Sequence, residues 1–144
     1  MEAWRICRRP YADLSGEGAR LVGGRWNRRG AAVVYLAEHP ALAVLEVLVH
    51  LDLPPELLPA DYVLLRAELP FRAEDPALAQ IYNPETVGNG WLRTGGSPLL
   101  RVPSVLVPHT YNLLLNPVHR MAPRAKIVSV EPFVFDPRFR LFPV

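Results

Sequence analysis

The stretch Ala41–Leu51, ALAVLEVLVHL, is an apolar run with one carboxylate, Glu46, in its middle, and its reading decides how the chain is built. Pro40 stands where a first helical residue tolerates proline, and Pro54-Pro55 stop regular structure soon after Leu51. The spacing predicts one buried helix of about three turns. On it Leu42, Leu45, Glu46 and Val49 share a face through i+3 and i+4 spacing, and no polar side is open to the carboxylate. Glu46 is therefore expected to be buried. Unpaired burial of an ion is costly, so such a carboxylate either takes up a proton or finds cationic and hydrogen-bonding partners. A structural ion pair with an arginine and a carboxylate kept for function stand here as equal readings.

The segments around this helix read as short strands and turns. Upstream, Ala31–Ala37 (AAVVYLA) predicts a buried strand with Tyr35 near its end, leading through Glu38-His39 into the helix. Before it, Gly23-Gly24 lets the backbone come close to a ligand or another strand, and it sets Arg25, Trp26 and Asn27 at a bend. Ala3–Cys7 reads as a first strand and Glu17–Val22 as a short helical turn. Downstream, Asp61–Leu69 predicts a strand closed by Pro70. Residues 71–98 suggest a short helix near Pro76–Ile81 and a turn around Trp91. Leu99–Val102 and Val105–Val107 read as strand on either side of Pro103-Ser104, a break that exposes Ser104. Ala125–Val130 and Pro132–Phe135 supply one or two final strands. The sum is one α+β domain over residues 1–144, with mixed or antiparallel strands about a central buried helix.

Composition narrows the function classes. At 144 residues the chain can bury roughly 68–70% of its unfolded surface, enough for a real core. No apolar run reaches the roughly 20 residues that span a bilayer, and MEAWRICRRP lacks the apolar core of a secretory leader, so a cytoplasmic protein is expected. Cys7 is the single cysteine, which excludes cysteine-rich metal sites. His39, His50, His109 and His119 show no paired i,i+4 spacing, and GxxxxGK[ST], GxGxxG and HExxH are absent, so neither a metal nor a bound cofactor is expected. Net charge is +2, and Lys126 is the one lysine among 16 basic residues. Arginine's fork suits phosphate, yet the arginines are scattered rather than set in the stripe of a nucleic-acid binder.

What remains is Arg25 after a glycine turn, Tyr35 at a strand end, Glu46 on the helix and Ser104 at a strand break. They offer a cation for phosphate, a ring for stacking, a desolvated carboxylate and a small hydroxyl. That set suits cleavage of a nucleotide's glycosidic bond, where a fixed carboxylate stabilises the positive charge that grows on the ribose.

The run GEGARLVGGRWNRRGAAVVYLAEHPALAVLEVLVHL (Gly16–Leu51), then LRVPS ending at Ser104, NLLLNPVH (Asn112–His119) and FVFDPRF (Phe133–Phe139), resembles the RES domain family. The family's arginine, glutamate and serine match Arg25, Glu46 and Ser104, its pocket tyrosine matches Tyr35, and its NPxH motif matches Asn116, Pro117 and His119. Trp26 and Asn27 fall inside the GGRWN signature and join the candidate substrate-binding set. The resemblance implies a fold similar to ADP-ribosyltransferases and a toxin of a RES–Xre toxin–antitoxin pair. Such a protein consumes NAD⁺ by hydrolysis or phosphorolysis, with inorganic phosphate as a conceivable co-substrate, or transfers ADP-ribose to a protein. The implied partner is an Xre-type DNA-binding antitoxin, and a homodimer is compatible with the reading. Gly88-Asn89-Gly90-Trp91 departs from the pattern, which expects an acidic residue between glycine and tryptophan. A reading from another class, a non-catalytic nucleic-acid-binding module, rests on a pI near 9.0 and the Arg28-Arg29 pair.

Overall fold

Two strands rich in alternating apolar side chains, β1 (Glu2–Arg8) and β3 (Tyr62–Glu68), pair antiparallel along their whole length, with Glu2 opposite Glu68 and Arg8 opposite Tyr62. They form the middle of a six-stranded sheet in the computed structural model, which describes residues 1–76 and 83–139. The other strands are β2 (Val34–Ala37), β4 (Leu99–Pro103), β5 (Tyr111–Leu115) and β6 (Lys126–Pro132), and the order across the sheet is β4-β5-β2-β1-β3-β6. All five neighbouring pairs are antiparallel. Among the described residues three α-helices accompany the sheet, α1 (Glu17–Val22), α2 (Pro40–Leu48) and α3 (Pro84–Thr94), besides short 3-10 turns.

Side chains two apart in a strand share a face, and that period divides the core. Val34, Leu36, Leu99, Leu113 and Leu115 join Ala3, Leu65 and Ala67 on one face, covered by loop residues such as Leu14 and Phe71. The opposite face carries two separate clusters. At one end α2 lays Leu42, Ala43 and Leu48 against Ile6 and Ala37. At the other, Trp26 and Trp91 sit with Leu100, Val102 and Leu114, and Tyr35 packs against them. The two edges of the sheet differ. Glu74 bridges to Leu100 along β4, whereas all seven residues of β6 are exposed.

The structure corrects several expectations. α2 stops at Leu48, and its buried stripe runs through Leu42, Ala43 and Leu48, so Leu45 and Val49 face solvent although both are apolar. Trp91 lies within a helix of 11 residues rather than at a turn. Asn83 caps that helix by accepting from the Thr86 N–H, Pro84 starts it, and burial of Trp91 and Gly88 outweighs the poor helix propensity of its glycines. Val105–Val107 is not a strand. Ser104 N–H reaches the Thr110 carbonyl at 2.9 Å, and the chain reverses between them through His109, whose φ is 67°. Of the one or two late strands expected, the described residues form one, Lys126–Pro132. The helix expected near Pro76–Ile81 falls largely outside the described residues.

Leu65 has no exposed surface and fills the centre of the first cluster. Leu65→Ala should cost about 2–5 kcal/mol through lost burial and the cavity left behind. Urea unfolding with an unchanged m-value measures this, and a loss below about 1 kcal/mol would show that the face can collapse around the gap.

Candidate active site

The glycine turn and the strand after it are joined through one hydroxyl. Tyr35 Oη donates to Asn27 Oδ1 at 2.7 Å and accepts from the Trp26 N–H at 3.0 Å. Asn27 is only 1% exposed, and its Nδ2 donates to the carbonyls of Ala19, Arg28 and Ala31. A methyl group on Gly24 would lie 2.7 Å from Tyr35 Oη and 2.9 Å from Asn27 Oδ1, so only glycine lets the turn close onto this pair. Trp26 is buried among the apolar side chains beneath. Between Gly24 and Trp26, both fixed, Arg25 is left in solvent with no ion pair or hydrogen bond to any described residue.

Glu46 takes its place from α2. It follows Leu42 by four positions and Ala43 by three, and those two are buried against the sheet, so the carboxylate is turned toward the sheet as well. It is half-buried rather than fully so. Its Oε1 accepts from Ser104 Oγ at 2.9 Å and from Asn112 Nδ2 at 2.8 Å. Among the described residues no cation lies within ion-pair distance of Glu46 and no donor reaches Oε2. No arginine among the described residues fills the partner role weighed in the sequence reading, and two neutral donors hold the carboxylate. Ser104 is itself fixed, because Oγ also accepts from the Leu106 N–H at 3.1 Å.

Strand register brings the two halves together. Tyr35 stands opposite Leu114, and Ala37 opposite Asn112. One same-face step, about 7 Å, thus separates the ring of Tyr35 from the cross-strand pair on which Glu46 rests. Tyr35 and the pair that carries Glu46 thus share one face of the sheet, and the turn that bears Arg25 is tied to Tyr35 through the Trp26 N–H. Asn112 was missed by sequence reasoning. Its signal is a lone amide in the strand YNLLL, two positions from Leu114 and so on the same face.

Asn116 follows the far end of β5 directly, two residues beyond Leu114, the partner of Tyr35, and His119 lies three residues further on. Asn116 Nδ2 donates to the Leu92 carbonyl at 3.3 Å and Oδ1 accepts from the Val118 N–H at 3.2 Å, while His119 Nδ1 accepts from the Met121 N–H at 3.1 Å. In this geometry both residues brace a turn and tie it to α3. Trp26 and Asn27 likewise support the arginine turn from below and offer little surface to a ligand.

Comparisons with known proteins extend over nearly the whole chain. A family model described as "RES domain" matches residues 2–136. "Toxin Res" of Pseudomonas putida is 47% identical over 146 residues, covering 96% of this chain and 99% of its own length. "Prs ADP-ribosylating toxin" of Sphingobium sp. is 39% identical, covering 94% of each chain. Among solved structures, the "M.tuberculosis MbcT-MbcA toxin-antitoxin complex" contains a chain that superposes with a TM-score of 0.75 at 18% identity, over 92% of this chain and 84% of that one. At that identity the likeness concerns the fold.

Burial pushes the Tyr35 hydroxyl from its ordinary value near 10.0 up to about 12. The fold favours the neutral phenol, which alone can donate to Asn27. Its contribution to stability is therefore complete below about pH 10 and disappears as pH rises through about 12. Denaturant midpoints followed from about pH 9 upward should fall for the wild-type protein over that window. Tyr35→Phe should start lower and decline less, and parallel curves for the two proteins would exclude Tyr35 as the group responsible.

Proposed function

The chain belongs to the RES domain family, and from that premise we propose that it is an NAD⁺-consuming toxin that breaks the bond between nicotinamide and ribose. The observation that carries the reading is the state of Glu46: a half-buried carboxylate held by two neutral donors on one oxygen, with the other oxygen and its negative charge left uncompensated by any described cation. A purely structural role favours pairing such a charge. A catalytic role requires it unpaired.

In the proposed reaction Arg25 grips the diphosphate, its fork suited to two oxygens at once. The ring of Tyr35 forms an apolar wall. As the bond from ribose C1′ to the pyridinium nitrogen lengthens, the bonding pair passes to that nitrogen and nicotinamide leaves neutral. Positive charge grows on the ribose facing Glu46, whose carboxylate stabilises it more in a confined site than in water. Ser104 and Asn112 fix the carboxylate in place beforehand, so it need not reorient as charge develops. A nucleophile then adds at C1′ and gives up its proton. Water yields ADP-ribose and phosphate yields its 1″-phosphorylated form. A side chain of another protein yields an ADP-ribosylated product, a second reading favoured by the 39% identity to the Prs ADP-ribosylating toxin.

A protein that drains a central cofactor has to be restrained, and an antitoxin of the Xre type, in the cytoplasm, is the proposed partner. The name of the Pseudomonas relative and the toxin–antitoxin complex of the structural neighbour support this. Among the described residues no helix is long and apolar enough to cross a membrane. Direct nucleic-acid binding is disfavoured by how the arginines are used: Arg8, Arg20, Arg28, Arg66, Arg101 and Arg138 each face a carboxylate, Arg28 of the Arg28-Arg29 pair among them.

Glu46→Gln keeps the side chain's volume and an acceptor oxygen but removes the charge. NAD⁺ turnover should fall at least about 100-fold while thermal melting stays near wild type. Arg25→Ala should weaken NAD⁺ binding with little change in melting, and Arg25→Lys should restore only part of it. Mass spectrometry of products, with and without inorganic phosphate and with candidate acceptor proteins, identifies the nucleophile. A folded Glu46→Gln protein turning over at the wild-type rate would remove the assignment.

A further inference from the structure

The Gly88–Trp91 segment has no place in the reaction just described, yet α3 carries it against the turn that holds Arg25. A methyl group on Gly88 would lie 1.7 Å from the Trp26 carbonyl oxygen and 2.7 Å from its carbonyl carbon, which are backbone atoms with little freedom to yield. Asn89 Oδ1 accepts from the Arg28 N–H at 3.3 Å, and Glu85 Oε1 accepts from Arg28 Nε at 3.0 Å. The Trp26 backbone is thus held at both of its peptide groups, the N–H by Tyr35 Oη and the carbonyl by close packing of Gly88. Asn89 Nδ2, in contrast, is buried with no partner among the described residues. An amide that leaves its donor unsatisfied while its oxygen is engaged is held for the oxygen.

We propose that Gly88 and Asn89 are positioning residues for Arg25: neither reaches the substrate, and together with Tyr35 they set where the guanidinium meets the NAD⁺ diphosphate. The proposal rests on Arg25 being the phosphate contact. It also accounts for the departure from the family pattern, because an asparagine and an acid at position 89 present the same acceptor oxygen to Arg28. A helix pressed onto the turn fixes the backbone from which Arg25 projects before ligand arrives, so less ordering is needed on binding. The chemical step, set by Glu46 on another element, is left alone.

The test is steady-state kinetics with NAD⁺ on the purified full chain, with melting temperature followed in parallel. Gly88→Ala should raise KM about tenfold or more and leave kcat within about threefold. In an Arg25→Ala background the same substitution should change KM by less than about twofold, because the group it positions has gone. Asn89→Ala should raise KM in the same way, and Asn89→Asp, which keeps the acceptor, should restore it. If Gly88→Ala does not fold, the Asn89 pair carries the comparison alone. Should Arg25→Ala raise KM while Gly88→Ala and Asn89→Ala keep the wild-type value, or should their effects add fully to that of Arg25→Ala, the positioning role is overturned and the phosphate contact stands. A wild-type KM in Arg25→Ala itself removes the phosphate contact and the positioning role together.

Discussion

The hydroxyl of Tyr35 is the contact on which the upper half of the site depends. It donates to an asparagine that is locked by three carbonyls and accepts from the peptide that follows Arg25. One side chain in a strand thereby fixes a turn that has no regular structure of its own. Short turns of this kind have few apolar contacts to anchor them, so their geometry has to come from hydrogen bonds to something rigid. Here the rigid element is β2, whose neighbours on both sides are strands. The aromatic ring and the hydroxyl have separate duties, the ring toward the apolar cluster and the hydroxyl toward the turn.

Glu46 solves the opposite problem. A carboxylate on an apolar helix could be neutralised by a nearby arginine, and the chain has many. Instead six arginines are paired with surface carboxylates, where such pairs contribute little to stability, and Glu46 receives a serine and an asparagine. Neutral donors hold a carboxylate in place without cancelling its charge. They also leave it less stable than a fully paired or apolar substitute would be, which is the usual relation between a reactive group and the fold around it.

The sequence disclosed a good part of this. Periodicity located β1, β2, β3 and α2, because each buries one face and leaves the other polar or tightly packed. The motif around Gly23–Asn27 pointed to the arginine turn. What periodicity could not supply was anything that depends on contacts between distant segments. Leu45 and Val49 look buried on a helical wheel and are not, because the sheet beneath α2 reaches only the stripe through Ala43 and Leu48. Trp91 looks like a turn residue beside two glycines, and it is helical because Gly88 has to lie flat on the Trp26 peptide. Asn112 drew no attention, since an amide in a strand acquires meaning only when the partner across the sheet is known. Val105–Val107 has strand composition and lies in a reversal, because Ser104 ends the ladder by bonding to Thr110.

The two apolar clusters on the α2 face of the sheet are separate, one under α2 and one around the tryptophans, and the ladder between β2 and β5 runs through both. The carboxylate travels with the first and the arginine with the second. Descent with modification can therefore repack either cluster and slide its reactive group by fractions of an ångström while the other stays put. Under the proposed reaction, a surface divided in this way would behave like a vice with independently adjustable jaws: one jaw keeps its grip on a dinucleotide while the opening at the other is retuned to admit water, an inorganic anion or a protein side chain.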